Sequence, residues 1–453
     1  VAETGTQLGR VTLTVNQVGS VDNSGRYSVQ APASRIETMS LSQDEEAQWR
    51  ISDLPDGIVI PEDVFRGDYV ATKIYFPSAD GQFLVPDQRV FARTGAGTAA
   101  VKEFLAGPPP YLTGAVGAVV PTGTRLMTDT VKVSAGLATV NLSNAISRAS
   151  ETARATVLAC LRQSLTALPA IDQVELQAES VPLEVGQTTG LEIDPLATEG
   201  PFYLGDAGVW RLRDGSAKVM TGTEAAAAWD SLTVDHGLVR MAGLVGGQLD
   251  LLDKAGEPVK ELAWPDKVTP SASAKPVFDR LGWLWAAADD AVVAFSAEGE
   301  PVRLGSTWLD GRRVVALAPA RDGARLALAV EAEDGVDLLV SGIVRGEGAV
   351  PWRLTGPLFA GRVNGQLDGL SWADDVSLAY LAGAGEPEPA VLTVGGDVTH
   401  LKSPTDPPNS LAAGLGATEI VVSGRSGGLF GYSARGRVWE SLASGARAVT
   451  LAP

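Results

Sequence analysis

One cysteine, Cys160, stands in the 453-residue chain, so no internal disulfide can form. This alone does not place the chain in the cytosol, since oxidising compartments permit disulfides without requiring them. Histidine is as scarce, with only His236 and His400, far apart in sequence. With a single cysteine they do not supply the three or four suitably spaced ligands that zinc sites take. No D-x-D-x-D-G loop offers calcium ligands. No run approaches the roughly 18 apolar residues of a membrane span. Basic residues are in deficit, 36 against 54 acidic ones, for a formal net charge of -18. Such a surface repels phosphate backbones and anionic headgroups, which argues against nucleic-acid partners and electrostatic membrane binding. The plain reading of the acidity is solubility.

What the chain does have is apolar material: 45% hydrophobic against 20% charged residues, enough for a well-buried core and about two to four domains. The chain begins with Val1 rather than Met, and Val11 to Val15 is already strand-like. A preceding segment is therefore expected, with any signal peptide removed.

The densest local signals lie between Val101 and Leu142. Thr98 is placed to cap a short helix carrying Val101, Phe104 and Leu105 on one side. Gly107 and the run Pro108-Pro109-Pro110 end it. Pro121-Thr122-Gly123 signals a turn. Val131 and Val133, then Ala138 and Val140 after Ala135-Gly136, read as a β-hairpin. A long helix is expected from about Ser143 to Leu168, with Ile146, Ala149, Ala153, Val157, Cys160, Leu161, Ser164 and Leu168 at helical spacing. Cys160 on that stripe reads as a buried, inert thiol, since a reactive one needs exposure and a nearby cation. Pro169 stops the helix, and Val174, Leu176 and Ala178 form a strand.

The order of helix, L-x-G-P, P-x-G-T, hairpin and V-N-L-S resembles the GerMN domain, a small α/β module of bacterial sporulation and cell-envelope proteins. Upstream lie Gln48-Trp49-Arg50-Ile51-Ser52-Asp53-Leu54-Pro55-Asp56-Gly57, Tyr75-Phe76 and Val85-Pro86-Asp87. With these flanks and a β-rich half downstream, nearly the whole chain resembles the LpqB family of actinobacterial lipoproteins. That resemblance implies a C-terminal β-propeller, and a signal peptide and lipid-modified cysteine that place the protein on the extracytoplasmic face of the cell membrane. It also implies an accessory role toward the MtrAB two-component system, by binding the extracytoplasmic domain of the sensor histidine kinase MtrB. Effects on cell envelope and division or sporulation would follow. No catalytic, cofactor or metal residue is assigned, and the partner-contact residues are left open.

The residues themselves suggest a multidomain α+β and all-β chain. Residues 1–93 read as a β-rich, incomplete domain, 94–185 as the GerMN-like unit, 186–200 as a linker and 201–453 as a propeller. In the first part, Val11 to Val15, Ile36 to Leu41 and Trp49 to Ile51 alternate as strands around the turn Asp22-Asn23-Ser24-Gly25. Lys73 to Arg89 gives a hairpin turning at Ser78-Ala79-Asp80-Gly81. Trp49 is read first as an aromatic plugging a sheet edge and second as a partner contact.

From Pro201 onward, short apolar strands alternate with Gly, Asp and Pro turns, apart from a loop or single turn at Ala225 to Ala228. Three segments repeat loosely: Arg280 to Asp290, Leu317 to Gly323 and Leu370 to Asp375, each with an acidic turn before a small-residue strand. About six blades are expected, closed by Ala446 to Leu451 pairing beside Pro201 to Leu212, with a pair of β-sandwiches as the alternative.

Candidate chemistry is thin. Gly424-Arg425-Ser426-Gly427-Gly428 fits G-x-S-x-G, but Leu429 to Tyr432 after it reads as a strand rather than the helix an elbow needs. Gly243 to Gly247 lacks the Lys and Ser/Thr of a P-loop. Asp289-Asp290 and Asp374-Asp375 invite a glycosidase reading, yet their recurrence at equivalent repeat positions suits blade turns better. The favoured function is a non-enzymatic interaction protein. A binding module for cell-wall glycan or peptide, or a glycan-acting enzyme, is the alternative.

Overall fold

The computed structural model of the chain describes residues 8–53, 56–187, 190–197, 199–253, 256–259, 262–266, 268, 270–271, 274–304, 306–416, 419–433 and 436–453. Leu54 and Pro55 of the tryptophan-containing motif, and Thr188 and Thr189 of the expected linker, lie outside the described residues.

Strands β1 (Leu8–Val21), β2 (Tyr27–Gln43) and β3 (Trp49–Asp53) form an antiparallel sheet in that order. The Asp22 carboxylate shapes the first hairpin turn by accepting the Ser24 and Arg26 amides at 2.9 Å. Gly25 supplies the positive φ of 82°, and its carbonyl accepts the Val90 amide at 2.7 Å. The Arg26 and Arg89 guanidiniums meet Asp87 at 3.8 and 2.5 Å, and the Tyr111 hydroxyl donates to Asp87 at 3.0 Å. The turn end of the sheet is thus anchored on the next unit, while β3 at the other end stays exposed.

Helix α1 (Glu62–Asp68) leads into the hairpin β4 (Tyr69–Pro77) and β5 (Phe83–Ala92). Helices α2 (Ala96–Ala106) and α3 (Glu151–Leu165) pack against β4. A second sheet holds β6 (Lys132–Ser134), β7 (Leu137–Leu142), β8 (Gln173–Ala178) and β9 (Val181–Pro182). β7 and β8 run parallel, joined through α3 as a βαβ crossover. Ile74, Phe76, Val85, Phe104, Val140, Val157, Leu161 and Leu165 fill the shared core. Cys160 is there too, fully buried, and burial pushes its thiol pKa far up, as expected for an inert side chain.

Two helix expectations are corrected. Thr98 does not cap α2: Gly95, at φ 90°, begins it, and the Thr98 hydroxyl instead accepts the Val131 amide at 2.9 Å. The helix expected from Ser143 begins only at Glu151, after a 3-10 turn at Asn144–Arg148 and extended backbone at Ala149 and Ser150. The Ser150 hydroxyl caps it by accepting the Ala153 amide at 3.1 Å. The 3-10 turn keeps Ile146 on the apolar stripe, which is why spacing alone read as one helix.

Among the described residues of the C-terminal half, six sheets follow one another. Blade 1 has strands Glu199–Gly205, Gly208–Arg213 and Ser216–Val219, and Ala448–Ala452 as its innermost strand. The inner strands of blades 2 to 6 are Thr233–Val234, Val277–Phe278, Val314–Pro319, Gln366–Trp372 and Pro408–Ala413. Ala448–Ala452 pairs antiparallel with Glu199–Gly205, with Tyr203 opposite Val449, so the chain's last strand closes the ring as expected. Adjacent inner strands touch all the way round, making a six-bladed propeller. The run at 225–228 is a single 3-10 turn, Glu224–Ala228.

Blades 2 to 5 share a turn device between inner and second strand. Asp235, Asp279, Asp322 and Asp374 each accept backbone amides of their own turn, from Val239 (2.7 Å), Leu281 and Trp283 (2.9 Å), Ala324 (2.9 Å) and Val376 (2.8 Å). The equivalence expected for Asp289-Asp290 is therefore wrong. They lie in the turn between the second and third strands of blade 3, and Asp279 holds the position matching Asp322 and Asp374. Both strands are short runs of small apolar residues, so the repeat slipped by one strand.

Candidate functional site

The six inner strands enclose an axial channel of about 650 Å³. Its middle is walled by Val277, Val315, Ala316, Leu411, Val449 and Leu451. At the mouth, where the inner strands begin, the charged residues are Asp230, Lys275, Arg313, Glu331, Asp368 and Arg447. Arg313 is paired with Glu331. The Arg447 guanidinium donates to the carbonyls of Ala227, Gly205 and Trp229 at 2.6, 3.3 and 3.4 Å. Asp230 accepts the Gly246 amide at 3.2 Å. The Lys275 ammonium donates to the Asp368 carbonyl at 3.0 Å, and burial lowers its pKa.

The other end is crossed by the segment joining the two halves of the chain. Within it, β10 (Glu192–Ile193) pairs parallel with β5. Arg321 holds this end, donating to the carbonyls of Pro195 (2.5 Å), Trp372 (3.0 Å) and Ala373 (3.4 Å). The Ala197 amide donates to Gly414 at 2.8 Å, and Ala197 itself lines the channel.

Around this end the α/β unit is seated on the propeller. Lys73 and the Tyr75 hydroxyl reach Asp375 at 2.5 and 3.0 Å. The Thr355 hydroxyl donates to the Tyr111 carbonyl at 2.6 Å and accepts the Gly342 amide at 2.7 Å. The Arg280 guanidinium lies 4.7 Å from the Phe83 ring centre and 3.1 Å from Glu192. Burial, and then the carboxylates of Asp375 and Asp374, raise the Asp194 pKa to about 6.

Residues weighed from sequence fall elsewhere. Ser426 lies in the hairpin turn between strands Ile420–Gly424 and Gly428–Ser433, and its amide donates to Asp406 at 2.9 Å. His236, in a turn of blade 2, meets the Pro453 carbonyl at 2.6 Å, and His400 lies on the outer strand of blade 5. Among the described residues no group of three or more His, Cys, Asp or Glu side chains could hold a metal ion. Gly246 and Gly247 turn a hairpin between strands Arg240–Val245 and Gln248–Asp253. The acid pairs sit at opposite ends of their blades. Asp290 is exposed beside Arg303, and Asp375 is buried against Lys73 and Tyr75.

Trp49 lies on the edge strand β3, its ring against Gly9 and beside Leu41. It shares a sheet face with Val11, Leu13, Val15, Met39, Leu41 and Ile51, beside the polar Gln43 and the ion pair of Arg35 and Glu37. Among the described residues that face joins no buried cluster: Val11, Leu13, Trp49 and Ile51 are 39, 41, 48 and 55% exposed. Lys275, Arg321 and Asp194 escaped the sequence reading, because a lone charge before or between short strands has no periodicity to mark it.

Comparison with known proteins follows this layout. A family model described as the lipoprotein LpqB N-terminal domain matches residues 1–66. One described as "Sporulation and spore germination" matches 73–184, and the lipoprotein LpqB beta-propeller domain matches 209–451. Lipoprotein LpqB of Streptomyces coelicolor is 29% identical, over 74% of this chain and 61% of its own length. That of Bifidobacterium longum is 27% identical, over 72% and 56%. That of Thermobifida fusca is 25% identical, over 83% and 69%. The chain thus spans less than two thirds of the first two relatives. Among solved structures, virginiamycin B lyase from Staphylococcus aureus aligns at 14% identity and a TM-score of 0.33, over 55% of this chain and 86% of that one. With the propeller family matched over more than half of its length, the chain belongs to the lipoprotein LpqB family.

Proposed function

We propose that this chain is the extracytoplasmic, lipid-anchored accessory protein of a two-component system, which binds the extracytoplasmic domain of an MtrB-like sensor kinase and modulates its signalling without chemistry of its own. The observation that carries the reading is the uncovered apolar face of the N-terminal sheet, with Val11, Leu13, Trp49 and Ile51 facing solvent. Contiguous exposed apolar surface of this kind marks protein contacts. Trp49 is suited to a central anchor, since it is large and needs no rotamer ordering beyond two angles. The relatives' name, lipoprotein, supports a membrane-side location.

The test is titration of a purified soluble kinase domain with the full chain and with the double variant Trp49→Asp, Ile51→Asp. Neither side chain belongs to a buried cluster, so the variant should fold normally. Saturable binding that weakens at least roughly tenfold in the variant is expected. No binding by the unaltered chain at about 100 μM, where a complex of about −5.5 kcal/mol would register, sinks the proposal.

A further inference from the structure

The geometry points to the axial channel as a binding site for an amphipathic monocarboxylate, its carboxylate on Lys275 and its apolar body along the inner strands. The volume of about 650 Å³ lies within the range of small-molecule sites. Arg321 and Ala197 line the end opposite the charged mouth, where Arg321 donates to the Pro195 carbonyl. Val277, Val315, Leu411 and Val449 give its wall an apolar stretch, within a lining whose exposed surface is more polar than apolar.

The polar part of the case is a count of donors. Arg313 is charge-paired with Glu331, and Arg447 and Arg321 are each tied by three hydrogen bonds to backbone carbonyls, which leaves Lys275, among the described residues, as the channel cation held by a single bond. Lys275 carries three N–H donors and, among the described residues, bonds only the Asp368 carbonyl. Two ammonium hydrogens are left for an acceptor in the channel, and a carboxylate offers two oxygens. The mouth is balanced in charge, with Asp230, Glu331 and Asp368 against Lys275, Arg313 and Arg447, so a single negative charge on Lys275 is all the proposal asks of it. The same carboxylate chemistry could reach the channel on a free acid or on the carboxy terminus of a peptide.

Calorimetric titration of the full chain decides the matter, using hexanoate and N-acetyl-tetraalanine, each against its amide. At least one acid should bind at one site per chain, with its amide weaker by roughly tenfold or more. Which acid binds identifies the source of the carboxylate. Lys275→Met should weaken that acid by a similar factor and leave kinase-domain binding unchanged, which separates this site from the apolar sheet face. Absence of binding by both acids at about 5 mM overturns the assignment. So does equal binding of acid and amide by the unaltered chain, a comparison that needs no variant. A folded Lys275→Met chain that binds like the unaltered one overturns it as well.

Discussion

Asp194 carries a titration that the joint between the two halves should report. Burial, with Asp375 and Asp374 nearby, lifts its pKa to about 6 from the ordinary carboxyl value of 3.8. A carboxyl whose folded pKa is raised adds stability that is full below about pH 4 and is lost as pH rises through about 6. Asp194→Asn should therefore remove a downward slope in the thermal midpoint between those limits and raise the midpoint at pH 7. Calorimetry across that range checks it, and an unchanged slope refutes it. Cys160 makes the opposite kind of prediction. Cys160→Asp leaves an unpaired charge in the α/β core and should cost about 3–5 kcal/mol in urea unfolding, while the native thiol resists bulky labelling reagents. The burial of Cys160 was legible because its neighbours repeat at helical spacing. Asp375 was legible only as a turn acid, because its partners Lys73 and Tyr75 lie about 300 positions away in sequence.

Elements differ in how clearly sequence marks them. The hairpin at Ala135-Gly136 and the stop at Gly107 were legible because each needs a positive φ, of 49°, 80° and 95° respectively. The start of α3 was not, since the 3-10 turn before it preserves the apolar spacing and Ser150 is one of several possible caps. Blade strands were legible as strands, but their phase within a blade was not, which displaced Asp289-Asp290 by one strand. The contact between Gly342 and the Tyr111 segment is the element-scale test of seating. A Cβ at Gly342 would meet the Tyr111 carbonyl oxygen at 2.5 Å and the Ala115 side chain at 2.8 Å. Gly342→Ala should destabilise by about 1–3 kcal/mol, read from denaturant midpoints, and the loss should be smaller for Gly385→Ala, whose added Cβ meets nothing within 4 Å. Equal effects would show that the seat is loose.

The whole molecule is a ring closed by its last strand, with an α/β unit on one face and an N-terminal sheet anchored beside it through its first turn. About six blades and their closure were legible from the strand-and-turn pattern, the loose repeat and the family resemblance together. The seating was not, because it depends on side chains brought together from distant segments. Removing residues 448–453 should open the ring, broaden thermal unfolding and expose apolar surface to a reporter dye, since blade 1 loses its inner strand. The most direct measurement of partner binding is amide hydrogen exchange of the full chain with and without the purified kinase domain. The predicted result is protection concentrated in β1, the second half of β2 and β3, around Val11, Leu13, Met39, Trp49 and Ile51, with the channel mouth at Lys275 unchanged. Saturated binding that leaves β1 and β3 exchanging as in the free chain would contradict it.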